Sequence, residues 1–433
     1  MDFGGAGKAA YRLHKGLCEL GLDSTLAVLS KKSKDPTVKV IPETLASYNR
    51  LCDLPEYDSG VMPKQWGLWN GALEQAWGKP DHHIEAFTGT WSPVRLDLIE
   101  ELKGCDIVHL HWVAGMFDYF MGSRWLRGKK VIWTLHDMNP FTGGCHFTGG
   151  CDHFKGECGV CPMINSRTLD DASRQTYFAK KYFFTHQPIP IVTPSRWLAK
   201  QAQMSSLLRS LKVRVVPYGC DKTVFRPYPK EAAKEALRLP LAAKKVLLFG
   251  ADYNSKRKGF NLLLEAIDLE GSVRTNPNVF LGIFGVPPDE VLAKYKTKAL
   301  NFGRINVEET LAKVYSAAEA MMVSSIEDNL PNTAIESILC GTPVLGFDVG
   351  GMPDIIDDPA LGALVKAGDV QALARAIRAV LTRPEDHAAA SRCRQLAVTK
   401  YDLRLQAEQY LALYDELLGA RPAETMPRLA AAR

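Results

Sequence analysis

The stretch Ala320-Met-Met-Val-Ser-Ser-Ile-Glu-Asp-Asn-Leu-Pro-Asn-Thr-Ala-Ile-Glu-Ser-Ile-Leu-Cys-Gly-Thr-Pro-Val-Leu-Gly-Phe347 reads as one strand, helix, strand unit. Ala320–Ser324 and Val344–Phe347 are short apolar runs of the kind that fill a buried parallel sheet. Between them Pro331 and Asn332 mark a helix start, with Asn332 as the expected cap, and the helix runs over Thr333–Cys340. Gly341 followed by Pro343 is the expected stop.

The same alternation continues outward. Val246–Gly250 reads as a strand, Phe260–Leu269 as a helix, Val279–Gly285 as a strand, and Asp289–Lys298 and Val307–Ala318 as helices. In the first half a helix at Gly7–Leu20 precedes strands at Thr25–Leu29, Ile107–His111, Lys130–Leu135, Ile189–Thr193 and Val213–Pro217. The expected fold class is α/β, two facing doubly wound Rossmann-like domains with a cleft between them. Residues 1–228 form the first domain and 229–400 the second, with the hinge in the proline-bearing segment Phe225–Pro240. Residues 401–433 form a helix at Leu403–Leu418 and a disordered tail. Two segments interrupt the first domain: Asp35 to Pro93, with Trp66, Trp69, Trp77 and Trp91, and a cysteine-rich insert at 141–165.

With 433 residues, 46% hydrophobic and 23% charged, the chain is an ordinary globular protein long enough for more than one domain. It has no apolar run long enough to span a bilayer, and its first 25 residues lack a signal-peptide core. A cytoplasmic protein is expected, placed at the inner face of the membrane if its acceptor is lipid-linked. Residues 1–228 carry 28 Lys and Arg against 22 Asp and Glu, or +6, whereas 229–433 carry 25 against 26, or −1. The first half also holds all eight Trp and nine of the ten His, which suits an anionic or amphiphilic partner. Without a dense basic stripe, nucleic acid is not expected as a partner.

The helix beginning near Asn332 aims free N–H groups at the cleft, where they suit a diphosphate, and Glu336 one turn further is placed to take two ribose hydroxyls. Upstream, Gly250-Ala-Asp-Tyr-Asn-Ser-Lys-Arg-Lys-Gly259 leaves a strand and enters a helix, bringing Arg257 and Lys258 to the carboxyl edge of the sheet. His136-Asp137 ends the strand Lys130–Leu135, where an imidazole can face a reacting sugar. Gly4-Gly-Ala-Gly7 before a helix permits close backbone approach to a phosphate or an acceptor. Cys145, Cys151, Cys158 and Cys161 fall within 17 residues. Their thiolates are candidate ligands of a structural Zn2+, with His146 and His153 as substitutes. Reduced thiols, disulfides and an iron–sulfur cluster remain open.

These motifs together resemble the retaining nucleotide-sugar glycosyltransferases of family 4, which have the GT-B fold, and the resemblance covers nearly the whole chain. The family's E-x7-E signature resembles Asp328-x7-Glu336, and its Lys-Gly element resembles Lys258-Gly259. Its Pro-Asn-Gly-Val-Asp linker resembles Pro217-Tyr-Gly-Cys-Asp221, and its Gly-Gly-x-Pro-Glu turn resembles Gly350-Gly-Met-Pro-Asp354. Cysteine-rich inserts after the strand-end His occur in a subgroup that resembles the colanic-acid and exopolysaccharide glycosyltransferases.

The resemblance implies transfer of a hexose from a nucleotide diphosphate sugar to a glycan or lipid-linked acceptor, with retention and with peripheral membrane contact, in cell-surface polysaccharide synthesis. His136, Asp328 and Glu336 would be catalytic. Arg257, Lys258, Gly259, Asn329, Leu330, Asn332, Thr333 and Glu336 would bind the donor, and Gly4 and Gly5 the phosphate or acceptor. No cofactor is required for catalysis. The chain departs from the family in three places: Asp328 stands where Glu is usual, Ala251 where an Arg is usual, and the Gly-rich loop lies almost at Met1, so a strand is expected upstream. The other readings are a nucleotide-sugar epimerase or hydrolase of the same fold, or a non-catalytic assembly partner.

Overall fold

The computed structural model describes residues 4–41 and 86–419, apart from 91, 93, 95, 251, 252, 254, 385 and 387. Trp66, Trp69, Trp77, Trp91 and the tail from 420 lie outside the described residues. The first half runs α1 (Gly4–Glu19), β1 (Leu26–Val28), β2 (Val38–Val40), β3 (Ile107–Leu110), α2 (Tyr119–Trp125), β4 (Lys130–Thr134), α3 (Ala172–His186), β5 (Ile191–Thr193), α4 (Arg196–Met204) and β6 (Val213–Val215). β3, β4, β5 and β6 make one four-stranded parallel sheet in sequence order, and β1 pairs with β2 as a separate parallel ribbon.

The second half runs β7 (Lys245–Gly250), α5 (Phe260–Glu270), β8 (Val279–Phe284), β9 (Ala299–Gly303), α6 (Glu308–Ser316), β10 (Ala320–Val323), α7 (Asn332–Leu339), β11 (Val344–Phe347), β12 (Gly362–Val365), α8 (Val370–Thr382), α9 (Ala389–Tyr401) and α10 (Leu403–Leu418). The sheet order is β12-β11-β10-β7-β8-β9, parallel throughout. Both faces are covered. Val246, Leu248, Met321 and Val344 pack into one core, while Leu247, Phe249, Met322 and Leu345 pack into the other. A strand buried on both sides can be apolar at every position, which is why these strands read as continuous runs in the sequence.

This order places the site. From β7 the chain winds outward through β8 and β9, then returns to β10 on the other side of β7 and winds away through β11 and β12. The loops leaving β7 and β10 therefore diverge and open a crevice at their carboxyl ends, the position at which doubly wound sheets bind ligands.

The two halves are tied by the chain's far end. α10 lies on α1, and its Ala407, Tyr410 and Tyr414 join Leu13 and Leu17 of α1 and Ile132, Val192 and Val216 in one apolar cluster. Gly16 permits the approach, since a Cβ there would stand 3.1 Å from both Ala407 and Leu403 side-chain carbons. The C-terminal helix thus follows the second sheet in sequence but packs on the first lobe. Among the described residues no helix is long and apolar enough to cross a membrane.

Candidate functional site

A cavity of about 400 Å3 opens at the switch point, between the carboxyl ends of β7 and β10 and the end of β4. It brings together Gly5, His136, Arg257, Lys258, Asp328, Asn329, Leu330, Asn332 and Thr333. Gly4, Gly259, Glu336 and the four cysteines do not line it.

Arg257 and Lys258 sit in a single 3-10 turn after β7, closed by Gly259 at φ 62°. A Cβ on Gly259 would stand 1.9 Å from the Ser324 carbonyl oxygen, so glycine lets the basic turn press against the end of β10. Lys258 Nζ donates to Asp328 Oδ2 at 2.7 Å, and Arg257 Nη1 lies 3.5 Å from Asp328 Oδ1. Arg257 Nη1 also donates to the Glu327 carbonyl at 2.7 Å. Burial would raise the Asp328 carboxyl, but Lys258 and Arg257 pull it down to about 2, so it remains ionised. The Gly350-Gly351 turn closes over this loop, for Cβ atoms there would meet the carbonyl oxygens of Asp328 and Asn329 at 1.7 and 1.8 Å. Gly-Gly at 350–351 is therefore a steric requirement of the Asp328 loop.

α7 begins one residue earlier than the sequence suggests. Pro331 is its N-cap, with no side-chain cap bond, and Asn332 is the first helical residue. Instead of capping α7, Asn332 donates from Nδ2 to the Gly5 carbonyl at the start of α1, at 3.0 Å. Asn329 also joins the lobes, accepting from Ser195 Oγ at 2.7 Å and donating to the His136 carbonyl at 2.8 Å.

Glu336 is placed differently from expectation. Its carboxylate is buried, with Oε1 accepting from Arg12 Nη2 at 2.7 Å and Oε2 from Tyr315 Oη at 2.9 Å. Arg12 reaches from α1 across to the second lobe, also bonds Glu308 at 2.7 Å, and lies over the Phe225 ring at 5.0 Å. Both oxygens proposed for ribose hydroxyls are thus engaged within the protein, behind the cavity wall. Nothing in the local sequence signals the Arg12 pair, whose partners are 324 residues apart.

His136 belongs to a buried imidazole cluster. Its Nε2 lies 3.0 Å from His111 Nδ1 and its Nδ1 2.8 Å from Tyr218 Oη, while His109 bonds Tyr414 and Thr134 at 2.7 and 2.8 Å. Burial lowers His109 to about 3. Burial also lowers His136, against the opposing pull of Asp137, to about 4. Both values lie below the unfolded histidine value of about 6.5. Their contribution to stability is therefore complete above pH 6.5 and is lost progressively as the pH falls from there through about 4 for His136 and about 3 for His109. We expect the urea midpoint to drop between pH 7 and pH 5, before carboxylates such as Asp328 titrate. An unchanged midpoint over that interval would contradict the buried neutral cluster.

Asp137, Phe147 and Tyr218 also line the cavity, although sequence reasoning gave them no role. Asp137 directly follows His136 and accepts from Trp112 Nε1 at 2.7 Å, with His146 Nδ1 also at 2.7 Å. Phe147, from the cysteine-rich insert, holds the Arg257 guanidinium 3.9 Å from its ring centre, and Gly149 N donates to Glu327 at 3.1 Å. The insert is therefore a wall of the site.

Its cysteines gather away from that cavity. All four line a separate pocket of about 20 Å3, room for one water, and none is disulfide-bonded. Among the described residues no three His, Cys, Asp or Glu side chains are placed to hold a metal ion. His146 is engaged with Asp137, while His153 lines the cysteine pocket and its Nδ1 lies 2.9 Å from the Gly159 carbonyl oxygen. The insert is packed as a core, with Cys145 and Cys161 clustered with Met163, Ile164 and Ala172, and Cys158 in the main core of the first lobe. Burial pushes the Cys158 thiol up to about 12 and the buried Lys180, which donates to the Asn139 and Thr142 carbonyls, down to about 8.

The family pattern described as glycosyl transferases group 1 matches residues 230–395. A D-inositol 3-phosphate glycosyltransferase of Saccharomonospora viridis is 30% identical over 407 residues, covering 90% of this chain and 84% of the relative. Among solved structures, sucrose-phosphate synthase from Thermosynechococcus elongatus aligns with a TM-score of 0.60 at 19% identity, over 96% of this chain and 94% of that one. Anabaena HepE in complex with UDP and glucose aligns with a TM-score of 0.57 at 12% identity, over 95% of each chain.

Proposed function

The chain belongs to the group 1 glycosyltransferases with the two-domain GT-B fold, and from that premise we propose that it transfers a hexose from a nucleoside diphosphate sugar to a hydroxyl acceptor with retention at the anomeric carbon. The observation that carries this reading is the convergence of Arg257, Lys258 and the first turn of α7 on one cavity at the switch point. A departing diphosphate needs positive charge that is already in place, and two cations beside a helix N-terminus supply it without reorganisation. Asp328, ionised and bonded to Lys258, fixes the direction of that cation, and in this reading it contacts the donor sugar. The acceptor approaches from the first lobe, where Gly5 and His136 form the facing wall.

The acceptor in this reading is a saccharide hydroxyl, as in cell-surface glycan assembly. A phosphorylated polyol is the second reading. It is favoured by the relatives named D-inositol 3-phosphate glycosyltransferase and by the N-terminus of α1 at the cavity wall, whose free N–H groups suit a phosphate. The deciding experiment is a donor panel of UDP-, GDP- and ADP-sugars, read by nucleotide release, with and without a saccharide or an inositol phosphate acceptor. Release that depends on acceptor is expected. Equal release without acceptor would mean a hydrolase, and no release from any donor would overturn the transferase reading for this chain.

A further inference from the structure

His136 has no free ring nitrogen. Nδ1 faces Tyr218 Oη at 2.8 Å and Nε2 faces His111 Nδ1 at 3.0 Å. Its ring stacks on that of Tyr218, with centres 5.5 Å apart and planes inclined by 18°. A neutral imidazole offers one donor and one acceptor, so the hydrogen-bonding capacity of His136 is spent on these two neighbours. Behind it, the His109 and His111 rings lie 4.1 Å apart, with His109 bonded to Tyr414 and Thr134. The cluster is thus braced from α10 to the cavity wall.

Tyr218 is the member with capacity left over. Its hydroxyl carries one proton and two lone pairs, and the bond to His136 uses only one of these. Burial raises its pKa well above the usual phenol value, so it stays protonated. Tyr218 lines the cavity that also holds Asp328, Arg257 and Lys258. In the sequence it occupies the place at which the resembled Pro-Asn-Gly-Val-Asp linker carries Asn, so the side chain differs from that pattern where it reaches the site.

We propose that Tyr218 is the group through which the strand-end cluster touches the bound sugar, with His136 and His111 as positioning residues that fix the direction of its hydroxyl. The inference rests on the glycosyl-transfer reading above. Two proton arrangements serve it. When Tyr218 donates to His136 Nδ1, His136 donates from Nε2 to His111, and the phenol oxygen offers a lone pair to a sugar hydroxyl. When His136 donates from Nδ1 to Tyr218, His111 donates to His136 Nε2, and the phenol proton points to the sugar. In both, the His111 bond selects the direction, so a change at His111 is felt at the Tyr218 hydroxyl without contact with the sugar.

The test combines turnover with nucleotide affinity, using the donor that the wild type accepts from the UDP-, GDP- and ADP-sugar panel and the corresponding nucleoside diphosphate. Tyr218→Phe is expected to keep nucleotide affinity within about twofold while kcat falls on the order of 100-fold, as when one preorganised hydrogen-bond donor is removed. His111→Phe, which keeps the ring and removes the Nδ1 bond, is expected to lower kcat on the order of 10-fold with nucleotide affinity unchanged. The double variant should be no slower than Tyr218→Phe, because both changes act through one hydroxyl. Wild-type kcat in Tyr218→Phe, or a His111→Phe penalty undiminished in the double variant, would overturn the proposal. If Tyr218→Phe does not fold, wild-type kcat in His111→Phe overturns it alone. A wild type that releases nucleotide from no donor overturns the function reading, and this proposal with it.

Discussion

Replacing Glu336 by Ala is expected to lower the unfolding free energy by about 3–5 kcal/mol, the loss typical of removing one partner of a buried ion pair. The pair is almost wholly shielded from solvent, with side-chain exposures of 6% for Arg12 and 2% for Glu336. Arg12 Nη1 already lacks a hydrogen-bond partner, and Glu308, the remaining carboxylate, is 39% exposed and screened by water. Without Glu336 the guanidinium would sit desolvated beside Phe225 and Cys220, with Tyr315 Oη also unpaired. From the motif alone one expects this substitution to cripple transfer and leave the fold intact. The geometry reverses the second half of that expectation. Urea titration checks it, with two controls. Glu336→Gln keeps hydrogen-bonding oxygen and nitrogen at the site and should lose less, whereas the paired change Arg12→Met with Glu336→Leu removes both charges and should recover most of the loss. A loss below about 1 kcal/mol in Glu336→Ala would show that the clamp between the lobes contributes nothing beyond an exposed pair.

The contrast shows where sequence reasoning reaches. The second sheet was legible because its central strands are buried on both faces, so that Val344–Phe347 agrees to the residue and Val246–Gly250 to within one. β9 was missed because Ala299–Gly303 is an edge strand with half-exposed residues and an Asn in its middle, which leaves no apolar run to read. The helix expected to Lys298 ends at Tyr295, where Lys296 takes φ 36° and the chain turns into 3-10 geometry. Arg257, Lys258 and Asp328 were legible because topology alone carries the residues after β7 and β10 to one crevice. Arg12 and Tyr218 were not, because their roles depend on how the lobes face each other. For the cysteines, the spacing does bring all four around one small pocket, but it says nothing of which thiol packs into which apolar cluster. Cys158 was drawn into the main core and Cys145 and Cys161 into a satellite.

The second large effect is expected at Lys258, and its sign can be worked out from the charges clustered after β7 and β10, across the cavity from Asp137. Lys258 and Arg257 contribute two positive charges and Asp328 one negative, so this cluster meets a diphosphate with one net positive charge. Lys258→Ala brings that sum to zero and leaves Asp328 with the longer 3.5 Å contact to Arg257 as its remaining ion pair, beside its hydrogen bonds from Ser325 Oγ and Asn329 N. Turnover should fall on the order of 100- to 1,000-fold, about 3–4 kcal/mol, as found when a preorganised electrostatic group is removed from a reacting centre. Asp328→Asn moves the charge the other way, to two positives. It should tighten nucleoside diphosphate binding while turnover still falls, because Lys258 loses the carboxylate that orients it. Calorimetric binding of UDP, GDP and ADP, set beside kcat for the accepted donor, separates the two variants. Weaker binding in Asp328→Asn, or turnover within threefold of wild type in Lys258→Ala, would show that the diphosphate does not sit between β7 and β10. It would then have to be sought nearer the N-terminus of α1.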